Sequence, residues 1–200
     1  MKKLGNYYAI ALSVILIDQC VKLWVHSKML LGTAGEIPIF GEWFRLHYTL
    51  NPGMAFGIEL GEYYGKLFLT CFRLLAGAGM AFIIFRLAKE NASRGLLVSI
   101  ALILGGALGN VADSVFYGVF LHNAPYGSPS PWFHGQVIDM FYVDIWSGTL
   151  PDWLPLWGGQ YVALWPIFNI ADAAIFIGVM MIILFQKQYF KAIPSYQSAA

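Results

Sequence analysis

Four long apolar stretches dominate the pattern of hydrophobic and polar positions along this 200-residue chain, at residues 8–26, 66–85, 95–117 and 165–185. Each is close to the roughly 20 residues that an α-helix needs to cross the hydrocarbon core of a bilayer. Few charged residues interrupt them, and those that do are discussed below. The pattern therefore predicts four transmembrane helices.

A different periodicity appears between the first two stretches, in "WFRLHYTLN" at residues 43–51. Apolar and polar residues alternate there, and the apolar members are Phe44, Leu46, Tyr48 and Leu50. A period of two predicts a β-strand with one apolar face. The following "NPGMAFG" is typical of a turn, since Pro and Gly favour turn conformations. We therefore expect a small β-sheet outside the helices.

The amino-acid composition, together with this pattern, indicates the fold class. The chain is 58% apolar and 12% charged, with a mean hydropathy of +0.63, whereas soluble domains hold about a quarter charged residues. We expect a mainly α membrane protein, a single polytopic domain over residues 1–200. It is expected to have four transmembrane helices, and a small β-sheet and a loop or helix insertion on its outer face.

The net charge of +1 gives no indication of nucleic-acid binding. Cys20 and Cys71 lie in apolar stretches and are predicted to be buried free thiols.

Basic residues near the ends of the spans set the orientation. They cluster at the amino terminus, between the second and third spans, and at the carboxyl end: Lys2, Lys3, Arg86, Lys89, Arg94, Lys187 and Lys191. With four spans, all three clusters fall on one side of the membrane. Both termini are therefore predicted to be cytoplasmic, and residues 27–65 and 118–164 to lie outside.

Five carboxylates lie in or beside apolar segments: Asp18, Asp113, Asp139, Asp144 and Asp172. Given the predicted directions of the spans, Asp18 and Asp113 approach the outer ends of the first and third helices. Asp172 lies seven residues into the fourth span, about 10 Å at 1.5 Å per residue. All can therefore meet near the outer boundary of the bilayer. Ionisable residues at such depth are a hypothesis of function by default, although Asp144 is most simply a solvated charge.

Several of these polar residues also have structural interpretations. Asp18 and Lys22 are spaced i, i+4 with the acid first, so a mutually neutralising pair is favoured. Asn110 and Asp113 share a helix face in a glycine-rich segment, where an interhelical hydrogen-bond clamp is about as plausible as a chemical role. Asn51 alone reads as an ordinary turn residue.

Asp139 and Asp172 are harder to explain structurally, because neither has a basic residue within helical reach in the sequence. Two carboxylates close together in a dry site cannot both ionise easily, so one keeps a proton while the other acts as a base. Such a pair can activate water to attack an amide and then protonate the leaving nitrogen.

Five short motifs, in order along nearly the whole chain, together resemble the lipoprotein signal peptidase (type II, or prolipoprotein, signal peptidase) family. They are "DQCVK" at residues 18–22, "NPGMAFG" at 51–57, "GGALGNVADS" at 105–114, "VID" at 137–139 and "FNIADAAI" at 168–175. The resemblance implies an aspartic endopeptidase of the bacterial inner membrane, with a β-cradle on its outer face. Such enzymes remove the signal peptide of a diacylglyceryl-modified prolipoprotein, cleaving just before the lipid-bearing cysteine.

The resemblance also implies site residues and partners. It assigns catalysis to Asp139 and Asp172, and it implies that Asn169, one helical turn from Asp172, aligns that carboxylate. It assigns substrate-binding or supporting roles to Asp18, Lys22, Asn51, Gly53, Asn110, Asp113 and Asn169. The expected partners are the lipid-modified prolipoprotein and membrane lipids, with no nucleic acid, no metal and no cofactor, and we expect a monomer.

Three features depart from the family pattern. Ser114 stands where the family usually has arginine after the aspartate, which removes an expected charge partner of Asp113. Met54 stands where alanine is usual. Residues 120–136 and 145–164 are longer than in common members, so the outer insertion could act as a lid or only decorate the surface.

Two other functions remain open from the residues alone. A proton- or ion-coupled small membrane transporter would also use intramembrane carboxylates, and the N-x-x-D spacing occurs twice, at Asn110–Asp113 and Asn169–Asp172. However, inverted repeats and broken helices at corresponding positions are not evident. A non-enzymatic scaffold with polar helix clamps is the third interpretation. Ion flux without proteolysis would favour the transporter, and an assembly defect in Asp172→Asn would favour the scaffold.

Overall fold

Four long helices dominate the computed structural model, which describes residues 4–52, 64–155, 157–163 and 166–190. They are α1 Leu4–Lys28, α2 Gly65–Lys89, α3 Arg94–Ala112 and α4 Ile170–Phe190. Beyond Ala112, α3 continues through a π-helical turn, Asp113–Tyr117, and a final short turn, Gly118–Phe120. By length and composition, four helices of the described ranges can cross a membrane. The predicted fold class is confirmed.

The start of the fourth helix differs from the sequence prediction. The apolar pattern places the beginning at residue 165, whereas α4 begins at Ile170. Phe168 instead pairs with Phe141: its N–H donates to the Phe141 carbonyl at 3.1 Å, and its carbonyl accepts from the Phe141 N–H at 2.8 Å. Tertiary pairing therefore overrides the hydrophobic pattern here, and Asp172 lies in the first turn of α4.

Two small sheets and a short 3-10 helix, Thr33–Gly35, also lie within the described residues. The first sheet has the order β1–β2–β3 and is antiparallel; its strands are β1 Ile37–Phe40, β2 Phe44–Asn51 and β3 Val137–Val143. The strand predicted from the alternation at residues 43–51 is β2. Pro38 lies on the edge strand β1, where a missing N–H is tolerated. The second sheet pairs β4 Ser147–Thr149 with β5 Tyr161–Ala163.

The chain divides into two compact units. The helical unit comprises Met1–Val21, Asn51–Val137 and Ile170–Ala200, and the sheet unit comprises Lys22–Leu50 and Ile138–Asn169. The division falls within α1, after Val21, and immediately before α4. Each unit is therefore described by itself.

In the helical unit, small residues bring α3 into close contact with α1 and α4. A Cβ at Gly106 would collide with the Ala171 carbonyl oxygen, and one at Gly109 would lie 2.9 Å from the Asp18 carboxylate. Glycine at interhelical contacts allows such close backbone approach. These two glycines therefore hold the first turn of α4 and the Asp18 side chain against α3.

The apolar core of the helical unit lies at the other end of these helices. It contains Tyr7, Ala11, Ile84, Ala88, Leu97, Ala101 and Leu104. Many other apolar side chains point outward, and both cysteines, Cys20 and Cys71, are free but exposed. The prediction that these thiols are buried is wrong, because apolar faces of a membrane helix can contact lipid rather than protein.

The sheet unit is held by an aromatic row and an ionic cluster. Phe40, Phe44, Phe141 and Phe168 pack with successive ring centroids 5.6–6.2 Å apart. Arg45 pairs with Asp144 at 3.0 Å and with Glu36 at 3.5 Å. Asp144 is thus an ion-pair partner on the sheet.

Tyr48 connects β2 with the end of α1 inside the sheet unit. Its hydroxyl lies 2.8 Å from Nδ1 of His26. Burial raises the pKa of Tyr48 above its usual value of about 10. The neutral phenol is therefore the stable form, and it can share a hydrogen bond with the imidazole.

Candidate active site

Asp172 lies in the first turn of α4, where a side chain of α3 holds it. The amide Nδ2 of Asn110 donates to Oδ1 of Asp172 at 2.8 Å. A helix N-terminus also stabilises nearby negative charge, because its first N–H groups and its dipole point toward it. Asn110 therefore fixes the orientation of a carboxylate that the helix end already favours.

Asp18 caps the same helix end from α1. Its Oδ1 accepts a hydrogen bond from the Ala171 backbone N–H at 2.9 Å, and its side chain is fully buried. Ala171 is the second residue of α4, and the first four N–H groups of a helix lack partners within the helix. Asp18 thus supplies, from another helix, the acceptor that an N-cap residue ordinarily provides. The i, i+4 pairing with Lys22 did not predict this role.

The Gln19 side chain joins Asp18 to three other groups at this end of the helical unit. Its Nε2 donates to Oδ1 of Asp113 at 2.7 Å and lies 3.2 Å from both the Asp18 carboxylate and the Gly109 carbonyl. The Tyr117 hydroxyl donates to Oε1 of Gln19 at 2.9 Å. Asp113 and Tyr117 begin and end the π-helical turn, a distortion that is frequent at functional sites.

Asp139 belongs to the sheet unit, on β3, and is held by the residue that precedes α4. Nδ2 of Asn169 donates to Oδ1 of Asp139 at 2.6 Å and lies 3.4 Å from the Ile138 carbonyl oxygen. Asp139 is 2% exposed and Asn169 is fully buried. The resemblance predicts Asn169 as the aligner of Asp172, and that role stays a prediction; the contact that the structure shows for its amide Nδ2 is with Asp139.

Two basic residues lie inside the apolar helix α2 of the helical unit, Lys66 and Arg73. Nζ of Lys66 donates to the Pro52 carbonyl at 2.5 Å. The helical unit therefore combines carboxylates, carboxamides and cations among its described residues.

Comparisons with known proteins decide the family. A family model described as signal peptidase (SPase) II matches residues 10–187. This chain belongs to the signal peptidase II family. A lipoprotein signal peptidase of Amoebophilus asiaticus is 55% identical over 184 residues, which cover 92% of this chain and 78% of that protein. One from Porphyromonas gingivalis is 40% identical over 190 residues, covering 88% and 80% of the two chains.

Two solved structures support the fold of this signal peptidase II chain. Both are described as bacterial membrane enzymes solved by the in meso method. One has a TM-score of 0.60 at 23% identity, covering 92% of this chain and 88% of its own. The other has a TM-score of 0.59 at 24% identity, covering 90% and 91%. At this identity the similarity concerns the fold alone.

Membership in the signal peptidase II family supports the conclusion that this chain is a protease that cleaves signal peptides from prolipoproteins. The four apolar helices and the family together fit a multi-pass protein of the inner membrane. The predicted family and its membrane character are therefore confirmed.

The site residues predicted from the resemblance to signal peptidase II fall into separate groups. Asp18, Asn110, Asp113 and Asp172 lie in the helical unit, whereas Lys22, Asp139 and Asn169 lie in the sheet unit. Asn51 ends β2, and Gly53 lies outside the described residues, as does Met54. Ser114 is buried, and its hydroxyl donates to the Asn110 carbonyl at 3.2 Å.

Sequence reasoning missed four residues of this region in the helical unit, namely Gln19, Lys66, Arg73 and Tyr117. Gln19 is part of the "DQCVK" motif, but its position between Asp18 and Asp113 depends on how α1 and α3 pack. For Lys66 and Arg73 a signal was present, because basic residues inside an apolar span are expensive and usually face the protein interior.

Proposed function

We propose that this signal peptidase II chain is an aspartic endopeptidase whose catalytic residues are Asp139 and Asp172. It removes the signal peptide of a diacylglyceryl-modified prolipoprotein and cleaves just before the lipid-bearing cysteine. The single observation that carries the proposal is the family match over residues 10–187, which includes both carboxylates.

The surroundings of each carboxylate support this role. A carboxamide holds one oxygen of each: Asn169 bonds Asp139 at 2.6 Å, and Asn110 bonds Asp172 at 2.8 Å. Each carboxylate thereby keeps a defined orientation. Geometry of this kind is what a general acid or base requires.

In the proposed reaction the two carboxyl groups carry out the two proton transfers. One carboxylate removes a proton from water, and the resulting hydroxyl attacks the carbonyl carbon of the scissile amide. The other, protonated, carboxyl group then donates its proton to the leaving nitrogen as the C–N bond breaks. The pair thus acts as base and acid in turn, and the reaction consumes only water.

The location proposed for the substrate follows from its lipid. The acyl chains of the precursor stay in the bilayer, so its scissile bond lies near the outer leaflet, and we place the active site there. The positive-inside pattern of basic residues supports cytoplasmic termini.

The remaining polar site residues, including Asn51 and Gly53, hold the substrate backbone or position the catalytic pair. The chain acts as one domain and as a monomer.

Conversion of each catalytic carboxylate to an amide tests the proposal. Purified Asp139→Asn and Asp172→Asn proteins should each lose cleavage of a lipidated precursor down to the background of the assay. Both should still insert into membranes and give monodisperse protein, because the side-chain volume is unchanged. Asp152→Asn is the matched control: this aspartate is exposed and should retain wild-type turnover.

Wild-type turnover by either amide variant would contradict the assignment of that aspartate. Cleavage that fails in wild-type protein, accompanied by ion flux in proteoliposomes that Asp172→Asn abolishes, would favour the transporter instead. A variant that no longer assembles would favour the scaffold.

A further inference from the structure

The Gln19 carboxamide lies in an apolar helix, at a position for which the proposed mechanism has no role. Its neighbours in α1, Ile17 and Cys20, are exposed, whereas the Gln19 side chain contacts α3 and the π-helical turn that follows it. A polar side chain within a membrane span is costly, so its retention indicates a function. The contacts of Gln19 therefore call for a specific role.

These contacts fix which way round the carboxamide lies. The Tyr117 hydroxyl donates to Oε1 at 2.9 Å, and Nε2 donates to Oδ1 of Asp113 at 2.7 Å. The reversed orientation would place Oε1 against the Asp113 carboxylate, where two acceptors would meet. Tyr117 therefore favours the orientation in which Gln19 donates toward the carboxylates.

One carboxylate connects Gln19 with α4. Nε2 lies 3.2 Å from Oδ2 of Asp18, and Oδ1 of Asp18 accepts from the Ala171 N–H at 2.9 Å. Both oxygens of the Asp18 carboxylate are thus engaged, one by Gln19 and the other by the helix end. Because Ala171 directly precedes Asp172, this chain of contacts ends one residue from a carboxylate that we propose to be catalytic.

A second connection runs through the backbone of α3. Nε2 of Gln19 lies 3.2 Å from the Gly109 carbonyl oxygen, and the next residue, Asn110, donates to Asp172 at 2.8 Å. A Cβ at Gly109 would lie 2.9 Å from the Asp18 carboxylate, so glycine permits this close approach. Gln19 therefore contacts both supports of the first turn of α4, namely the cap from α1 and the segment of α3 that carries Asn110.

The π-helical turn that ends with Tyr117 is itself held in place. The N–H of Gly135 donates to the Ser114 carbonyl at 3.0 Å, and the N–H of Phe133 donates to the Val115 carbonyl at 3.3 Å. These bonds to backbone groups within the turn fix its course. The Tyr117 hydroxyl therefore approaches Gln19 from a defined position.

Gln19 also supplies a donor to Asp113 at a point where the family pattern has a cation. Ser114 stands where the family usually has arginine, and its hydroxyl donates to the Asn110 carbonyl at 3.2 Å. The Gln19 amide, from a different helix, donates to Asp113 at 2.7 Å. A neutral carboxamide thus satisfies part of the hydrogen-bonding capacity of this carboxylate.

We propose that Gln19 is a positioning residue for the peptidase reaction: its carboxamide, oriented by Tyr117, holds Asp18 against the first turn of α4 and so fixes Asp172. The proposal rests on the proposed function, which gives Asp172 its catalytic role. Displacement of a catalytic group lowers the rate of the chemical step. Substrate binding by other residues is unaffected, so the effect belongs in kcat rather than KM.

The test compares variants in lipid nanodiscs, with a diacylglyceryl-modified precursor peptide as substrate. Gln19→Met keeps the length of the side chain and removes the amide, Tyr117→Phe removes only the hydroxyl, and a double variant combines the two changes. Cys20→Ala is the matched control, because Cys20 is the next residue of α1 and is exposed. Asp172→Asn reports on the catalytic pair.

We expect Gln19→Met to lower kcat about tenfold through displacement of Asp172 and to leave KM within about twofold. Tyr117→Phe removes one hydrogen bond between neutral groups, so its kcat should fall about threefold. The double variant should have the kcat of Gln19→Met, because Tyr117 acts through an amide that is already absent. Cys20→Ala should match wild type, and the thermal midpoints of the single variants should stay within a few degrees of it.

Wild-type kcat in Gln19→Met would overturn the proposal. A higher KM at unchanged kcat would overturn it as well, because that pattern indicates a contact with substrate. Losses that multiply in the double variant would overturn the role of Tyr117 as the group that orients Gln19. If Gln19→Met does not give monodisperse protein, Tyr117→Phe decides, and wild-type kcat in that variant would then overturn the proposal.

Failure of this proposal is distinguishable from failure of the proposed function. If wild-type protein cleaves the precursor, Asp172→Asn does not, and Gln19→Met cleaves at the wild-type rate, only the role of Gln19 is lost. If wild-type protein leaves the lipidated precursor intact, the proposed function fails and the role of Gln19 fails with it.

Discussion

Asp139 and Asp172 are both held by an asparagine amide, yet their supports differ in kind. Asp139 lies on a strand, and its partner Asn169 is fixed by the pairing of Phe168 with Phe141. Asp172 lies at a helix end, which Asp18 caps from one helix and Asn110 contacts from another. One carboxylate thus depends on local sheet pairing, and the other depends on how three helices pack.

This difference predicts which distant substitutions affect each carboxylate. Changes in α1 and α3 should act on Asp172 through the first turn of α4. Changes around β3 should act on Asp139. Two motifs that each supply one carboxylate therefore have different kinds of structural support, and the following variants test this contrast.

Among the residues that support the two carboxylates, the largest fall in kcat should come from removal of the cap on α4. Asp18→Ala leaves the Ala171 N–H without its acceptor, and loss of a cap costs about 1–2 kcal/mol of stability. The first turn of α4 would then be free to move, and small displacements of a catalytic group can cost about 100-fold in rate. We expect kcat to fall by about that factor, as measured with the lipidated precursor.

Two control variants make the Asp18→Ala result interpretable. Asp18→Asn keeps a carbonyl oxygen for the Ala171 N–H and should lose less activity than Asp18→Ala. Ser13→Ala, on an exposed face of α1, should behave as wild type. Unchanged kcat in Asp18→Ala would show that the cap does not govern Asp172.

A smaller fall in kcat is expected when Asn110 or Asn169 is replaced by alanine. Asn169→Ala and Asn110→Ala each remove a hydrogen bond to a carboxylate, worth about 1.5–3 kcal/mol. The corresponding rate loss is roughly 10- to 100-fold. The loss should be greater for Asn169, because Asn169 is fully buried whereas Asn110 is partly exposed.

The double variant sharpens the comparison. Residues that serve one catalytic unit have non-additive effects, so Asn110→Ala combined with Asn169→Ala should lose less than the product of the two single losses. Fully multiplicative losses would indicate that the two carboxylates act independently, contrary to a catalytic pair.

Much of the fold follows from the sequence because its signals are local. Long apolar runs predict the four helices, and the alternation at residues 43–51 predicts β2. The start of α4 is different, because Phe168 is drawn into pairing with Phe141, far away in sequence. Helical periodicity cannot report such a contact.

The candidate site is less accessible to sequence reasoning for the same physical reason. The motifs single out Asp18, Asn110 and Asn169, but their partners are set by packing. Asp18 reaches Ala171 across 153 residues, and Asn110 reaches Asp172 across 62. The order of motifs predicts which residues matter, whereas the hydrogen bonds that they form require the structure.

One measurement tests the central claim most directly. Purified protein is incubated with a diacylglyceryl-modified precursor and, separately, with its unmodified twin, and the products are analysed by mass spectrometry. The account predicts cleavage of the lipidated precursor only, giving a product whose first residue is the lipid-bearing cysteine. Equal cleavage of both precursors, or a cut elsewhere in the chain, would contradict it.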